Sequence, residues 1–198
     1  MQVKKDTIRR RLLEAAEEEF RERGFQNAKI RNIATTANVT LGNTYNYFRN
    51  KDALFVAVLS PTTTAIDQFL QYSANEGRII FPGFDLLKKH LAMVIDFIDT
   101  HRGNLQLLFF QSAGSSLANF RDEVIDRYTR MGLEKLRTGR SDGPVVSEFT
   151  FHNVCSFWVN FISEIIMHDI DKAHIHQYFT EFLNYNQAGW DALIADKS

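Results

Sequence analysis

Residues 27–59 read NAKIRNIATTANVTLGNTYNYFRNKDALFVAVL, and two short helices inside this stretch decide the fold around them. Ile30, Ile33, Ala34 and Ala37 recur at three- and four-residue steps, the spacing at which helical side chains share one face. Asn27 stands ahead of them as a cap. Asn38 follows, and asparagine tolerates a left-handed backbone better than most residues bearing a Cβ, so Ala37-Asn38-Val39 reads as a tight turn. Thr40 then caps a second short helix from Leu41 to Phe48, and Asn50 caps another that begins Lys51-Asp52-Ala53-Leu54. Two short helices joined by a three- or four-residue turn form a helix-turn-helix unit.

Working outward, Ile8, Leu12, Ala15, Ala16 and Phe20 give a first helix one apolar stripe, with a cap expected at Asp6 or Thr7 and an end near Arg23. Gly24 is placed to close that helix, where a left-handed backbone costs glycine nothing. The outer face of the Leu41–Phe48 helix is unusual for a helix that only packs. Instead of Lys and Glu it carries Thr40, Asn43, Thr44, Tyr45, Asn46 and Tyr47, and Gly42 permits close backbone approach. Neutral donors and acceptors of this kind suit base edges or phosphate oxygens in a major groove. Lys29 and Arg31 flank that face, and Lys51 opens the next helix.

This stretch resembles the DNA-binding signature of TetR/AcrR-type bacterial regulators. The elements that carry the resemblance are Ile33-Ala34, Val39-Thr40, Gly42-Asn43-Thr44-Tyr45-Asn46-Tyr47-Phe48 and Asn50-Lys51-Asp52-Ala53-Leu54, within about residues 7–59. The resemblance implies phosphate contacts from Tyr45, Tyr47 and Lys51, and base-edge contacts from Arg31, Leu41, Gly42 and Asn46. Asn43 and Thr40 fit either role, while Ile33, Ala34, Val39 and Phe48 become core. Two positions depart from the pattern. Asn38 stands where the turn commonly has glycine, and Asn43-Thr44 replaces the usual Thr-Leu.

Composition agrees with an all-α chain of about nine helices. There are three prolines and ten glycines in 198 residues, and Leu, Phe, Ala, Glu and Arg fall at helical spacings. Residues 1–52 hold eleven Lys/Arg against seven Asp/Glu, whereas residues 53–198 hold twelve against seventeen. A basic head on an acidic body suits a polyanion partner for the head. The expected division is a helix-turn-helix domain over 1–52 and a ligand-binding and dimerisation domain over 53–198. One cysteine, Cys155, excludes an internal disulfide and reads as a buried apolar group. The N-terminus has no signal-peptide pattern, and no run approaches the ~20 apolar residues that cross a bilayer, so a cytoplasmic protein is expected. No phosphate loop, Gly-x-Ser-x-Gly or His-Glu-x-x-His motif occurs, so neither an enzyme nor a cofactor is expected. His168, Asp169, His174 and His176 cluster in sequence, but His-x-His on a helix turns its rings apart, so no metal is expected either.

Beyond residue 59 the pattern is a run of amphipathic helices. Pro61 is expected to kink or break the fourth. Gly77 and FPGF (81–84) mark a loop, and a fifth helix then carries Leu86, Leu87, Leu91, Val94, Phe97 and Ile98. A short sixth spans Leu105 to Phe110, and a seventh carries Leu117 to Leu136. The longest polar loop is 138–144. Two final helices run from Ser147 to His168 and from Asp171 to Asn186, with a tail after Gly189. The eighth is apolar on more than one side (Phe149, Phe151, Val154, Phe157, Trp158, Phe161, Ile162, Ile165, Ile166), which requires burial from two directions. Seventeen phenylalanines either fill a core or line a cavity, and composition leaves both open. The resemblance implies a homodimer through the last two helices, a palindromic operator, and release by a small apolar or aromatic effector. Candidate lining residues are Met93, Phe97, Phe110, Tyr128, Phe157 and Phe161, with His90 or Gln111 as polar anchors. A helical ligand- or partner-binding protein without operator binding is the alternative.

Overall fold

A computed structural model describes residues 2–75, 84–137 and 146–195, with side chains described for 5–71, 91–137 and 146–193. Among these residues there are eight helices and no strand: α1 (Gln2–Asn27), α2 (Ile30–Thr36), α3 (Leu41–Tyr47), α4 (Lys51–Asn75), α5 (Phe84–Phe110), α6 (Phe120–Arg137), α7 (Glu148–Met167) and α8 (Lys172–Ala195). The expectation of nine is corrected at α5, which absorbs the separate helix expected over Leu105–Phe110. Gly103 inside it costs a helix about 1 kcal/mol. The near-complete burial of Leu105, Leu107 and Leu108 outweighs that cost.

The chain forms two compact units, and α4 and α5 each contribute to both. Unit 1 comprises residues 1–65 and 103–120, and unit 2 comprises 66–102 and 121–198, so neither is one stretch of chain. Unit 1 is built on Leu12, Ala16, Phe20, Ile33, Leu54, Phe55 and Leu59, all fully buried or nearly so. The Phe20 ring meets Phe55 edge-on at 4.9 Å, and Phe25 lies 4.9 Å from the same ring. These contacts explain why the apolar stripe of α1 and the start of α4 have the spacing they do. Residues 103–120 complete the unit: the Phe25 amide donates to the Gln111 carbonyl (2.9 Å), and the Ser116 amide donates to Asp52 Oδ1 (2.7 Å).

Several boundaries differ from the sequence expectation for local reasons. α1 starts at Gln2 rather than at Asp6 or Thr7, and it breaks at Gly24, whose φ of 66° comes with ψ of 171°. That is not the left-handed helical region but an extended one that only glycine visits readily. α4 runs on as one helix through the exposed Pro61, where fully buried Leu59 and Thr62 hold the chain on either side. The tail expected after Gly189 is instead the end of α8, because buried Trp190 packs edge-on to Phe151 at 6.0 Å. The stretch Lys51–Gln71 is long and apolar enough to cross a bilayer by length and composition alone, with mean hydropathy 1.3. This amends the expectation of no such run. Leu54, Phe55 and Leu59 within it are fully buried, so their surface is already covered by protein. Gly77, most of the FPGF loop, the 138–144 loop and the side chains of Tyr72, Leu86, Leu87 and His90 lie outside the described residues.

In unit 2, α7 buries Phe151, Cys155, Trp158, Ile165 and Ile166 on one face. Its junction with α8 is a Schellman turn: Asp169 takes φ 47°, and the Ile170 amide donates to the Ile165 carbonyl (3.1 Å). Arg102 clamps this turn by donating to the Ile170 carbonyl (2.6 Å) and pairing with Asp169 (3.2 Å). Burial pushes the Cys155 thiol up to about 12, which fits the inert reading of that residue. His168 pairs with Glu164 and His174 with Asp171, two separate pairs rather than one convergent set.

Candidate nucleic-acid interface

The turn before α3 fixes how that helix is presented. Asn38 adopts φ 51°, as its residue type allows. Its amide donates to the Thr35 carbonyl (3.0 Å) and the Val39 amide to the Ala34 carbonyl (2.9 Å), which closes α2 in a Schellman turn. Thr40 Oγ1 then accepts from the Asn43 amide (3.3 Å) as the cap of α3, and Asn50 Oδ1 accepts from the Ala53 amide (2.7 Å) at the start of α4. Both caps stand where the sequence placed them. The expected cap at Asn27 does not form. Lys29 is the N-cap residue of α2, and Asn27 Nδ2 donates back to the Arg23 carbonyl.

Two side chains outside the expected set shape this region. Glu19 is buried on α1, and its Oε1 accepts from the Lys29 amide (3.0 Å) and from Asn32 Nδ2 (2.9 Å). It thereby supplies the cap that α2 lacks locally. Arg11 donates through Nη2 to the Asn38 carbonyl (3.0 Å), tying α1 to the turn. The signal for both was present: each charge falls on the apolar stripe of α1, three or four residues from Leu12, Ala15 or Ala16.

The exposed face of α3 holds Gly42, Tyr45 and Asn46, with Leu41, Asn43 and Tyr47 half-buried and Thr40 exposed at its head. Lys29, the N-cap residue of α2, and Arg31 in its first turn are exposed as well. A Cβ built on Gly42 would meet nothing within 4 Å, so the backbone there is open to an approaching partner. Asn46 Nδ2 donates to Asn43 Oδ1 (3.4 Å), linking the two amides one turn apart. Thr44 is corrected: it is not on the exposed face but is buried, with its hydroxyl donating to the Thr40 carbonyl (3.1 Å). That bond satisfies its one polar group, so threonine fills a position that otherwise suits leucine. Lys51 points inward, donating to the carbonyls of Phe25 (2.6 Å), Gln26 (3.1 Å) and Ala28 (3.1 Å).

The six candidate effector residues fall in both units. Phe110 belongs to unit 1 and lines an open depression of about 310 Å³ with Gln111 and residues 22–27. Met93, Phe97, Tyr128, Phe157 and Phe161 belong to unit 2. Met93 and Phe157 are exposed and Tyr128 is buried. Phe161 stacks on Phe182 at 3.9 Å and Phe157 lies 4.9 Å from the same ring, so both serve the packing of α7 on α8.

Residues 12–58 match the model of bacterial regulatory proteins of the tetR family. The chain is 26% identical over 132 residues to the HTH-type transcriptional regulator YhgD of Bacillus subtilis, a match covering 67% of this chain and 66% of that one, just under two thirds of its length. Its fold is similar to that of a TetR/AcrR-type transcriptional regulator from Aquifex aeolicus (TM-score 0.60, 17% identity, 94% and 99% of the two chains covered). It is similar also to NalD of Pseudomonas aeruginosa, the secondary repressor of the MexAB-OprM multidrug efflux pump (TM-score 0.58, 20% identity, 89% and 96% covered). These relatives are regulators of transcription rather than enzymes. Over residues 12–58 the chain matches the tetR family of bacterial regulatory proteins, and its fold is similar to that of such regulators.

Proposed function

We propose that this protein is a cytoplasmic DNA-binding repressor of transcription that binds a palindromic operator as a homodimer. The observation that carries this reading is the outer face of α3, where Tyr45, Asn46 and Gly42 are exposed beside the cations Lys29 and Arg31. The neutral groups suit base edges and the cations suit phosphates. Arginine can also read guanine and a tyrosine hydroxyl can also bind phosphate, so in this reading Arg31, Leu41, Gly42 and Asn46 lie nearest the bases, Tyr45 and Tyr47 join Lys29 on phosphates, and Thr40 and Asn43 serve either. Residues 1–52 are the DNA-binding part, and the remainder pairs the subunits and takes up an effector.

One α3 spans only a few base pairs, so a pair of heads about one helical turn of DNA apart gives a usable site. The pairing surface proposed is the outer side of α7 and α8, where Phe149, Phe157, Met167, Tyr178, Tyr185 and Leu193 are exposed. Exposed aromatic residues in such number are costly in water and are enriched at interfaces. A small apolar or aromatic effector would release the operator, as suits a chain whose fold resembles that of an efflux-pump repressor.

The test is a gel-shift titration of DNA from around its own gene across a range of salt. Binding is expected, with affinity falling steeply as salt rises because phosphate contacts release counterions. Binding that ignored salt would overturn the phosphate contacts, and absence of binding to any DNA would leave the helical ligand-binding alternative.

A further inference from the structure

Lys51 departs from the role that the resemblance gives it. Its ammonium has three N–H donors, and three carbonyls take them: Phe25, Gln26 and Ala28. The same nitrogen lies 4.5 Å from the centroid of the Phe25 ring, a second attraction toward the interior. The three carbonyls belong to the short connection between the break at Gly24 and the start of α2 at Ile30. On the other side of that start, the Glu19 carboxylate takes the Lys29 amide and Asn32 Nδ2. The start of α2 is thus held between a cation on the carbonyls that lead into it and an anion on the Lys29 amide and the Asn32 side chain. Burial also holds the Lys51 ammonium below its ordinary pKa, as expected of a cation drawn away from water. A phosphate contact would strip three acceptors of their donor, two of them part-buried.

We infer that Lys51 is a positioning residue: it fixes the start of α2, and with it the aim of Lys29 and Arg31, and it makes no phosphate contact. The second half of this inference rests on the DNA-binding reading above, and the first half does not.

The clamp is tested without DNA by hydrogen exchange of the backbone amides of residues 28–33 in the full chain and in Lys51→Met. Exchange faster by on the order of tenfold is expected, with helix content by circular dichroism retained. Unchanged exchange would overturn the clamp. Should Lys51→Met fail to fold, Lys51→Arg serves for the same measurement, because a planar guanidinium cannot meet three converging carbonyls as an ammonium does.

The absence of a phosphate contact is tested on the wild-type protein bound to a DNA duplex selected from a random pool. The lysine-ammonium 1H–15N spectrum is expected to show a slowly exchanging Lys51 signal, free and bound, without 15N–31P coupling. Such a coupling at Lys51 would overturn the inference. In binding titrations Lys51→Met is expected to lower affinity while leaving the slope of log K against log salt unchanged, and Lys51→Arg is expected not to restore it. A slope flatter by about one, or wild-type affinity in Lys51→Arg, would restore the phosphate role. If the wild type selects no DNA, the DNA-binding reading fails, and the exchange experiment still decides the clamp.

Discussion

Asn46 and Asn43 sit one turn apart on α3, joined by the bond from Nδ2 to Oδ1. That bond leaves Asn46 with its carbonyl and one amide hydrogen free on an exposed side chain, the pair of groups that reads adenine in the major groove. Asn46→Ala is therefore expected to relax the preference for one base pair, a loss of about 1–3 kcal/mol of discrimination. Selection from random DNA with both proteins measures this, and identical preferences would remove Asn46 from the base-reading set. Gly24 poses a different residue-scale question. An added Cβ there would have ordinary room, 3.5 Å from Gln111 Cβ, so the backbone alone opposes substitution. Gly24→Ala should lower stability by about 1–3 kcal/mol because φ 66° with ψ 171° is strained for any L-residue with a side chain. Thermal unfolding would show it, and an unchanged melting temperature would mean that the break relaxes. The cap at Thr40 and the exposure of Gly42 and Asn46 were legible because they follow from residue type and helical spacing. The sequence marks Glu19 as a charge on an apolar stripe but shows neither its partners nor those of Lys51, because these are distant backbone groups that only the fold brings to them.

At the scale of helices, local chemistry was readable where it was strong. The turn at Asn38 and the caps Thr40 and Asn50 each satisfy orphan amides or carbonyls within a few residues, so they follow from nearby sequence. At Pro61, Gly103 and Gly189 the helices run on because burial of neighbours such as Leu59, Leu105 and Trp190 prevails over a breaker that costs about 1 kcal/mol for glycine and about 3 kcal/mol for proline. Gly132 shows the converse, a glycine that packing requires. A Cβ there would collide with the fully buried ring of Phe151 from α7. Gly132→Ala gains helix propensity, yet it is expected to destabilise the chain by about 1–3 kcal/mol through overpacking. A denaturant titration distinguishes these, and a rise in the midpoint would mean that Phe151 can move aside.

For the whole molecule, the proposed pairing through α7 and α8 makes a sharp demand on Tyr185, which is 73% exposed yet lies 6.4 Å from the Phe157 ring. Tyr185→Asp should leave the fold intact and shift sedimentation from dimer to monomer, weakening operator binding with it. A variant that stayed dimeric would move the interface elsewhere. The double apolar face of α7 was legible in sequence, whereas the division of the chain was not. Unit 1 needs residues 103–120, including the Gln111 carbonyl that receives the Phe25 amide and the Ser116 amide that meets Asp52. A nascent chain on the ribosome therefore cannot finish its first unit when residue 65 emerges. It must wait until most of α5 and the segment after it have been synthesised, some fifty residues later. Half-made chains would thus carry an incomplete first unit, and premature termination would release fragments whose first helices lack the packing partners that residues 103–120 supply.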